Sequence, residues 1–414
     1  MINKANKIYI IGIGGTGISA LAKILRAKGC EVAGSDVGRS ELTEDLIGAG
    51  IPVEIGHRRE NIPQECDLLI YSNAVPEKNP ERAGAVRRGT RQLSYPEAVG
   101  ELLLDYEKVV AVAGTNGKTT TTAMIGWILE QAGYDPTVLV GSKVLAWDSN
   151  ARIGGRKYFV LEADEYKRAF LNYHPDIAVI TNIAADHLDY YKDLADIQQA
   201  FFDFIGKIKD GGKLFKNLEI EIWKLKIPGR FNQENATYAA AACRELGVPE
   251  ETIKKSLESF GGTWRRFENV GRAGECEIIS DYAHHPDGIR VTLAAAHDYF
   301  PGKKILTVFQ PHQHNRTKKL FSEFVEAFCK SELADFIIAE IFDVAGREDA
   351  KDQDVSSRDL VSEIKKCGKN VEYAEDLEVA EQMARDKLAS YDMIIFMGAG
   401  DIYKVALNLV AKQK

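Results

Sequence analysis

Short apolar runs recur along the chain. Most close on a cluster of glycine, hydroxyl or charged residues, and most are followed by apolar positions spaced three and four apart. A buried strand feeding an amphipathic helix gives this pattern, and its repetition predicts parallel sheets covered by helices. The first run, residues 7–11, enters the glycine turn 12–17, and a helix with Ile18, Leu21, Ile24 and Leu25 on one face follows. A strand at 31–34 ends in Ser35-Asp36, and one at 66–71 ends in Ser72-Asn73-Ala74 before a helix opened by Asn79-Pro80-Glu81. A second set starts with the β-branched run 109–113 and a helix carrying Met124, Ile125, Ile128, Leu129 and Ala132, then strands at 137–141, 158–161 and 177–180. Residues 192–227 are lysine-rich with a weak apolar pattern and are assigned no element. An alanine-rich helix runs from Pro228-Gly229 through Arg244, another helix ends at Ser256–Phe260, and Gly261-Gly262 breaks the chain. A third set has strands at 276–280, 304–309, 336–339 and 393–396, alternating with helices at 287–298, 317–330, 357–366, 378–389 and 401–412. The expected fold is therefore α/β, with three domains each built on a mainly parallel sheet. These are a Rossmann-like domain over 1–107, a phosphate-loop domain over 108–262 and a second Rossmann-like domain over 263–414.

Composition narrows the class. A chain of 414 residues with 45% hydrophobic and 28% charged residues is an ordinary globular protein with room for several cores. The net charge of -8 argues against a general role on nucleic acid or membrane surfaces. No apolar run approaches the roughly 18 residues of a membrane span, and the N-terminus lacks a signal-peptide pattern. The six cysteines are scattered without a C-x-x-C pair, which suggests reduced thiols and a cytoplasmic protein.

The chemistry-bearing residues lie where the runs end, and the carboxyl ends of parallel strands are where such sheets bind ligands. Gly114-Thr115-Asn116-Gly117-Lys118-Thr119-Thr120 joins strand to helix, a geometry that aims backbone N–H groups and a helix N-terminus at phosphate. The strict pattern G-x-x-x-x-G-K-[ST] is not met, because Val112 stands at its first position. Lys118 suits the β/γ-phosphates, and the Thr119 hydroxyl suits Mg²⁺. The next two strand ends carry Glu162-Ala163-Asp164-Glu165 and, after Thr181-Asn182, Asp186-His187-Leu188-Asp189, ligands of the kind that Mg²⁺ accepts. Gly12-Ile13-Gly14-Gly15-Thr16-Gly17 with Asp36 matches the dinucleotide fingerprint, a geometry that serves any diphosphate. Four of the eight histidines, His284, His285, His312 and His314, fall at two strand ends of the third set; no zinc spacing is present, and an anionic substrate fits them better.

Taken in order, these stretches resemble the Mur ligases along nearly the whole chain. The resemblance rests on the glycine turn at 12–17, the lysine loop at 114–121, Glu-Ala-Asp-Glu at 162–165 and Asp-His-Leu-Asp at 186–189. It continues with Arg-Arg-Phe at 265–267, Asp-Tyr-Ala-His-His-Pro at 281–286, Phe-Gln-Pro-His at 309–312 with Arg316-Thr317, and Met-Gly-Ala-Gly-Asp at 397–401. The motif Phe-Gln-Pro-His and the double histidine are most like the alanine-adding members. The resemblance implies ATP-dependent joining of L-alanine to the carboxylate of UDP-N-acetylmuramate, a step of peptidoglycan precursor synthesis, through an acyl phosphate. It implies two Mg²⁺ ions, one held by Thr119 and Glu162 and the other by His187. It implies ATP contacts from Gly114, Thr115, Asn116, Gly117, Lys118, Thr119, Thr120, Asn232, Asn235, Arg266 and Asp281, and UDP-sugar contacts from Gly14, Gly15, Thr16, Gly17, Asp36 and Ser72. It also implies an amino-acid site of Tyr282, His284, His312 and Arg316, with Lys118, His284 and Arg316 in the chemistry and a base of near-neutral pKa for the amine. The partners it implies are small molecules, neither nucleic acid nor membrane, acting on a monomer or homodimer. The chain departs from the family in four places. Asn116 stands where His is usual, Gln313 replaces an Arg, the segment between Tyr191 and Pro228 is short, and the stretch from Glu340 to Asp354 differs. A sister ligase that adds a peptide or another amino acid is the nearest rival. An NAD-dependent oxidoreductase would use Gly12–Gly17 and Asp36 but leaves Lys118, Glu162 and His187 without a role.

Overall fold

The computed structural model describes residues 2–187, 190–343 and 354–411. Leu188 and Asp189 of the expected ligand motif, residue 412 of the last expected helix, and residues 344–353 of the stretch that departs from the family lie outside them. The chain divides into two compact units, one of residues 1–226 and 231–263, the other of residues 227–230 and 264–414.

The first unit holds two sheets. In the first, β1 (Lys7–Ile11), β2 (Glu31–Asp36), β3 (Val53–Ile55), β4 (Leu68–Tyr71) and β5 (Arg91–Ser94) lie in the order β3-β2-β1-β4-β5, all parallel. Helices α1 (Thr16–Ala27), α2 (Glu41–Gly48), α3 (Pro80–Arg88) and α4 (Tyr95–Leu103) connect them. Proline at the start of α3 costs no hydrogen bond there, and Asn79 caps the next two amides. The second sheet has β6 (Lys108–Ala113), β7 (Thr137–Val144), β8 (Ser149–Arg152), β9 (Tyr158–Glu162), β10 (Ile177–Ile180) and β11 (Lys213–Lys216) in the order β11-β10-β6-β9-β7-β8. Only the β7–β8 hairpin in it is antiparallel. Its helices are α5 (Lys118–Gln131), α6 (Leu194–Ile205), α7 (Arg230–Glu245) and α8 (Glu250–Ser259). Strand β6 is central, buried from Val109 to Ala113, and this explains its unbroken apolar run. One apolar core joins both sheets, running from Ile10 and Leu21 through Leu102 and Tyr106 to Phe159, Phe170 and Phe204. The β8 residue Asn150 fastens the second sheet to α1, donating to the Thr16 carbonyl at 2.7 Å and accepting from Lys23 at 3.1 Å.

The second unit holds β12 (Glu268–Ala273), β13 (Cys276–Asp281), β14 (Ile305–Phe309), β15 (Asp335–Ala339), β16 (Asn370–Ala374) and β17 (Met393–Met397), in the order β12-β13-β17-β14-β15-β16. Strand β12 alone runs antiparallel. Helices α9 (Pro286–Tyr299), α10 (His314–Lys319), α11 (Phe321–Cys329), α12 (Ser357–Lys366), α13 (Leu377–Lys387) and α14 (Ile402–Ala411) cover it.

The α/β reading with three mainly parallel sheets holds, and the differences have local causes. Helix α6 lies in the stretch assigned no element; Asp193 caps it, and Ile197, Ala200, Phe201 and Phe204 are its buried face. The lysines that follow it masked this periodicity. Strands β11, β12 and β16 are edges, half-exposed and polar, so they lack an apolar run. The single helix expected at 317–330 is two helices, broken at Leu320 (φ −112°, ψ 24°). The thiols are also not all reduced: Cys329 and Cys367 form a disulfide, because the ends of α11 and α12 bring their Cα atoms to 5.6 Å. The 38 residues between them hide this closeness in the sequence.

Glu81 pins the first sheet. Its fully buried carboxylate accepts from Tyr9 Oη (3.2 Å), Ser35 Oγ (2.6 Å), Asn61 Nδ2 (2.7 Å) and the Arg58 amide (3.3 Å). Glu81→Ala orphans these buried donors, so it should lower unfolding stability by about 3–5 kcal/mol, with Glu81→Gln intermediate. Urea unfolding checks this, and an unchanged midpoint for the alanine variant contradicts it.

Candidate functional site

The turn between β6 and α5 needs its glycines. Gly114 has φ 137°, and a Cβ there would lie 2.0 Å from Thr181 Oγ1. Gly117 has φ 86°, and its Cβ would meet Asn235 Oδ1 at 2.3 Å. The turn is braced from β10. Thr181 Oγ1 donates to the Asn116 carbonyl at 2.5 Å, the Asn116 amide donates to Asn182 Oδ1 at 3.0 Å, and the Thr115 hydroxyl accepts from the Ala184 amide at 2.9 Å. Asn235 is buried behind the turn; it accepts from Thr121 Oγ1 at 3.2 Å and donates to Asn232 Oδ1 at 3.2 Å. Helix α7 thus puts both asparagines on the face that supports the loop. The loop amides and the first turn of α5, with Thr119 and Thr120, form the phosphate-facing end.

Lys118 folds back over this loop. Its Nζ donates to the Gly114 carbonyl at 2.6 Å and to both oxygens of Glu165, at 2.8 and 3.1 Å. Thr119 Oγ1 donates to Glu162 at 3.0 Å, and the Gly141 amide donates to the same carboxylate at 2.7 Å. Asp164, Glu165 and His187 bring one ligand atom each to within 4.8 Å of one another. His187 is held at φ 52°, a strained value for a residue other than glycine. The expected metal ligands thus stand in two groups. Thr119 pairs with Glu162, while His187 groups with Asp164 and Glu165. Glu165 was quoted in the acidic motif but given no role in the sequence reading; a helical turn from Tyr166 to Asn172, with the Tyr191 hydroxyl on the Glu165 carbonyl, folds it back toward Lys118. Gly141 was also missed; a Cβ there would lie 2.5 Å from Glu162.

Burial pushes the Glu162 carboxyl above the usual carboxylate range, against the pull of Lys118 and the donors at Gly141 and Thr119. Burial pushes Glu165 up too, with Lys118 opposing. Burial would lower Lys118, but Glu165, Asp164 and Glu162 outweigh it and hold the ammonium charged. Three carboxyl groups against one ammonium leave a surplus of negative charge. Carboxylate and hydroxyl oxygens with one imidazole are a donor set that fits Mg²⁺.

On the first sheet, the Gly14 amide donates to Asp36 Oδ2 at 2.8 Å, so Asp36 ties β2 to the glycine turn. A Cβ on Gly12 would lie 3.0 Å from that of Ser72, which places the end of β4 beside the same turn. Gly15, Thr16 and Gly17 lead into α1, whose N-terminus faces outward for an anion.

In the second unit, Asp281 is buried, and its carboxylate accepts from the Phe267 amide (2.8 Å), the Ala283 amide (2.8 Å) and Thr292 Oγ1 (3.1 Å). It is a strut that sets the Arg266 turn and the loop from Tyr282 to His285. Arg266 is exposed, 5.3 Å from the Tyr282 ring centre. Arg265, buried, donates to the Gly398 and Gly400 carbonyls and ties β17 to this turn. His284 Nδ1 donates to the Tyr282 carbonyl at 2.9 Å, which leaves Nε2 as an acceptor. Its ring lies 5.9 Å from that of His312, and Arg316 Nη1 lies 3.3 Å from His312 Nδ1. His312 stacks on Phe342 at 5.6 Å. Burial, joined by the charges of Arg316 and Arg266, pulls His284 down to about 3. His284 is therefore held neutral, with Nε2 as its acceptor atom. His285 sits outside the cluster as the cap of α9, and His314 is paired with Asp343 at 2.6 Å.

The comparisons with known proteins cover the whole chain. Models described as "Mur ligase family, catalytic domain", "Mur ligase middle domain" and "Mur ligase, glutamate ligase domain" match residues 7–107, 112–224 and 265–400. A UDP-N-acetylmuramate–L-alanine ligase of Lachnospira eligens is 37% identical over 99% of this chain and 98% of its own. One of Acetivibrio thermocellus is 38% identical over 97% and 95%. The crystal structure of the UDP-N-acetylmuramate–alanine ligase of Thermotoga maritima superposes with a TM-score of 0.83 at 28% identity, covering 98% of this chain and 99% of that one. A murein peptide ligase of Psychrobacter arcticus shares the fold, with a TM-score of 0.68 at 23% identity, covering 98% of each chain.

Glu162 and Glu165 bind protons to higher pH in the folded protein than in the unfolded chain, so a divalent cation must displace protons as the pH falls. Added Mg²⁺ should raise the melting temperature clearly at about pH 8 and much less at about pH 5.5. An equal rise at both, read by thermal denaturation, contradicts the placement.

Proposed function

The chain belongs to the Mur ligase family, and from that premise we propose that it joins L-alanine to the carboxylate of UDP-N-acetylmuramate with ATP as the energy source. The observation that carries this reading is the Lys118–Glu165 pair beside Thr119 and Glu162. It is a movable cation over a phosphate loop, with a surplus of carboxylates at its edge.

The reaction has two steps. The substrate carboxylate attacks the γ-phosphate of ATP, giving an acyl phosphate and ADP; the amine of alanine then attacks the acyl carbon and phosphate leaves. The amides of Gly114–Gly117 and the first turn of α5 receive the phosphates, and Lys118 exchanges Glu165 for their oxygens. Thr119 with Glu162, and Asp164 and Glu165 with His187, would hold Mg²⁺. That ion supplies neutralisation of the phosphoryl oxygens. The glycine turn at 12–17, tied by Asp36 and flanked by Ser72, takes the diphosphate of the UDP-sugar. Asn232, Asn235 and Asp281 act on nucleotide binding by holding the loops that touch it, and Arg266 is exposed for direct contact. Arg316, against His312, pairs with the alanine carboxylate. Tyr282 orients His284, whose neutral Nε2 accepts a hydrogen bond from the attacking amine, and the departing phosphate takes the amine's proton. The boundaries 1–107, 108–262 and 263–414 assign the UDP-sugar, ATP and amino acid to successive domains.

The peptide-adding alternative is less favoured, because the relatives 37–38% identical over nearly the full chain are alanine ligases, whereas the murein peptide ligase shares the fold at 23% identity. Among the described residues no helix is long and apolar enough to cross a membrane. A cytoplasmic enzyme, monomeric or homodimeric, suits its nucleotide substrates, and the exposed Cys367 leaves the disulfide open to cytosolic reductant.

Phosphate release should require both UDP-N-acetylmuramate and an amino acid, with L-alanine preferred; Gln313, at a position where the family resemblance leads one to expect Arg, makes glycine and L-serine the informative competitors. Release without an amino acid, or a preference for a peptide, contradicts the assignment. Lys118→Ala should lower kcat by about 10³-fold or more while leaving UDP-N-acetylmuramate affinity within about twofold. Steady-state kinetics and calorimetry check both, and a joint loss of turnover and sugar-nucleotide affinity contradicts the separation of the two sites.

A further inference from the structure

Directly after the acidic strand end, two adjacent residues, neither of them glycine, adopt left-handed backbone: Lys167 (φ 50°, ψ 28°) and Arg168 (φ 57°, ψ 29°). Such strain persists only where the surroundings impose it, and it concentrates at functional sites. The surroundings here are explicit. Arg168 is clamped on α6, with Nη2 on Asp196 at 2.7 Å and Nη1 on Asp203 at 3.1 Å. Its amide donates to the Glu165 carbonyl at 2.9 Å. Two residues on, Phe170 is buried and stacked on Phe204 at 4.7 Å between ring centres. Lys167 has a different partner from Arg168. Its exposed side chain crosses from the second domain to the first, where Nζ donates to the Asn73 carbonyl at 3.3 Å.

Asn73 follows Ser72, and Ser72 packs against Gly12 of the glycine turn. Lys167 thus projects from the loop that carries Glu162–Glu165 to the rim of the diphosphate cradle. One neutral carbonyl uses one of its three donors and does not neutralise its charge. Among the described residues no carboxylate pairs with it. A cation held by strain at that rim has an anionic ligand class to match: the diphosphate of a nucleotide sugar.

We propose that Lys167 is a substrate-positioning residue that binds the diphosphate of the UDP-sugar and fixes where the sugar leaves the first domain for the phosphate loop. This rests on the ligase reading above. The glycine turn of the first domain offers amides, and Lys167, on the second domain, adds the charge that a doubly anionic group needs.

Calorimetric titration of the full-length protein with UDP-N-acetylmuramate, with UDP and with ATP tests it. Lys167→Met should bind UDP-N-acetylmuramate and UDP about 10-fold more weakly, with ATP affinity unchanged. Lys167→Arg should retain most of the affinity. Lys167→Gly, which relieves the backbone strain, should match the methionine variant in affinity without a lower melting temperature, and this separates the lost charge from a folding defect. Unchanged affinity of Lys167→Met for both ligands overturns the proposal, as does a loss confined to the sugar nucleotide with UDP unaffected. Failure of the unmodified protein to bind UDP-N-acetylmuramate overturns the ligase reading instead.

Discussion

Glu162, Asp164 and Glu165 stand within four residues of one another at the end of a buried strand, and one ammonium, Lys118, faces them. Carboxylates withdrawn from water need a counter-charge, and one lysine serves the buried Glu165 and the half-buried Glu162, with the exposed Asp164 beside them. The remainder of the second domain is arranged around that imbalance. Gly141 gives Glu162 a backbone donor, Thr119 gives it a hydroxyl, and His187 is bent into a left-handed conformation to reach the other two. A site with surplus negative charge recruits divalent cations, and those cations then recruit phosphate. The lysine is ionised whichever partner it has, so the exchange of Glu165 for a phosphoryl oxygen moves a charge without creating one.

The loop beneath the lysine is braced from behind. Thr181, Asn182 and Asn235 fix the backbone of Gly114–Gly117 from behind, and both glycines lie too close to those residues for any side chain to fit. The amides of this loop are therefore held in place, so a phosphate bound there would cost little ordering. In the second unit Asp281 plays the corresponding part. It spends its carboxylate on two amides and a hydroxyl so that the loops bearing Arg266, Tyr282 and His284 are set. Burial near two arginines keeps His284 neutral, a condition suited to accepting a hydrogen bond from an uncharged amine.

Much of this was legible in the sequence because parallel sheets write it plainly. Central strands such as β6 are continuous apolar runs, and the residues just after them are the ligand-binding edge. Lys118, Thr119, Glu162 and His187 could be singled out as candidates that way. Asp36 and Asn235 were candidates too, but their hydrogen bonds, to the Gly14 amide and to Thr121, required coordinates. Glu165 was invisible as a partner of Lys118, because 47 residues separate them and a turn, not a strand, carries it back. Edge strands β11, β12 and β16 lacked an apolar run, and α6 was masked by the lysines beyond it. The Cys329–Cys367 disulfide depends on the packing of two helices that composition does not reveal. The left-handed pair Lys167-Arg168 left no sequence signal, since neither residue favours that conformation.

The central claim is that the phosphoryl acceptor is the substrate carboxylate and not water. Turnover of UDP-N-acetylmuramate labelled with ¹⁸O in its carboxylate, with ATP and L-alanine, tests it directly by mass spectrometry of the released phosphate. One labelled oxygen per phosphate is the predicted result. Unlabelled phosphate formed together with the amide product would contradict the account.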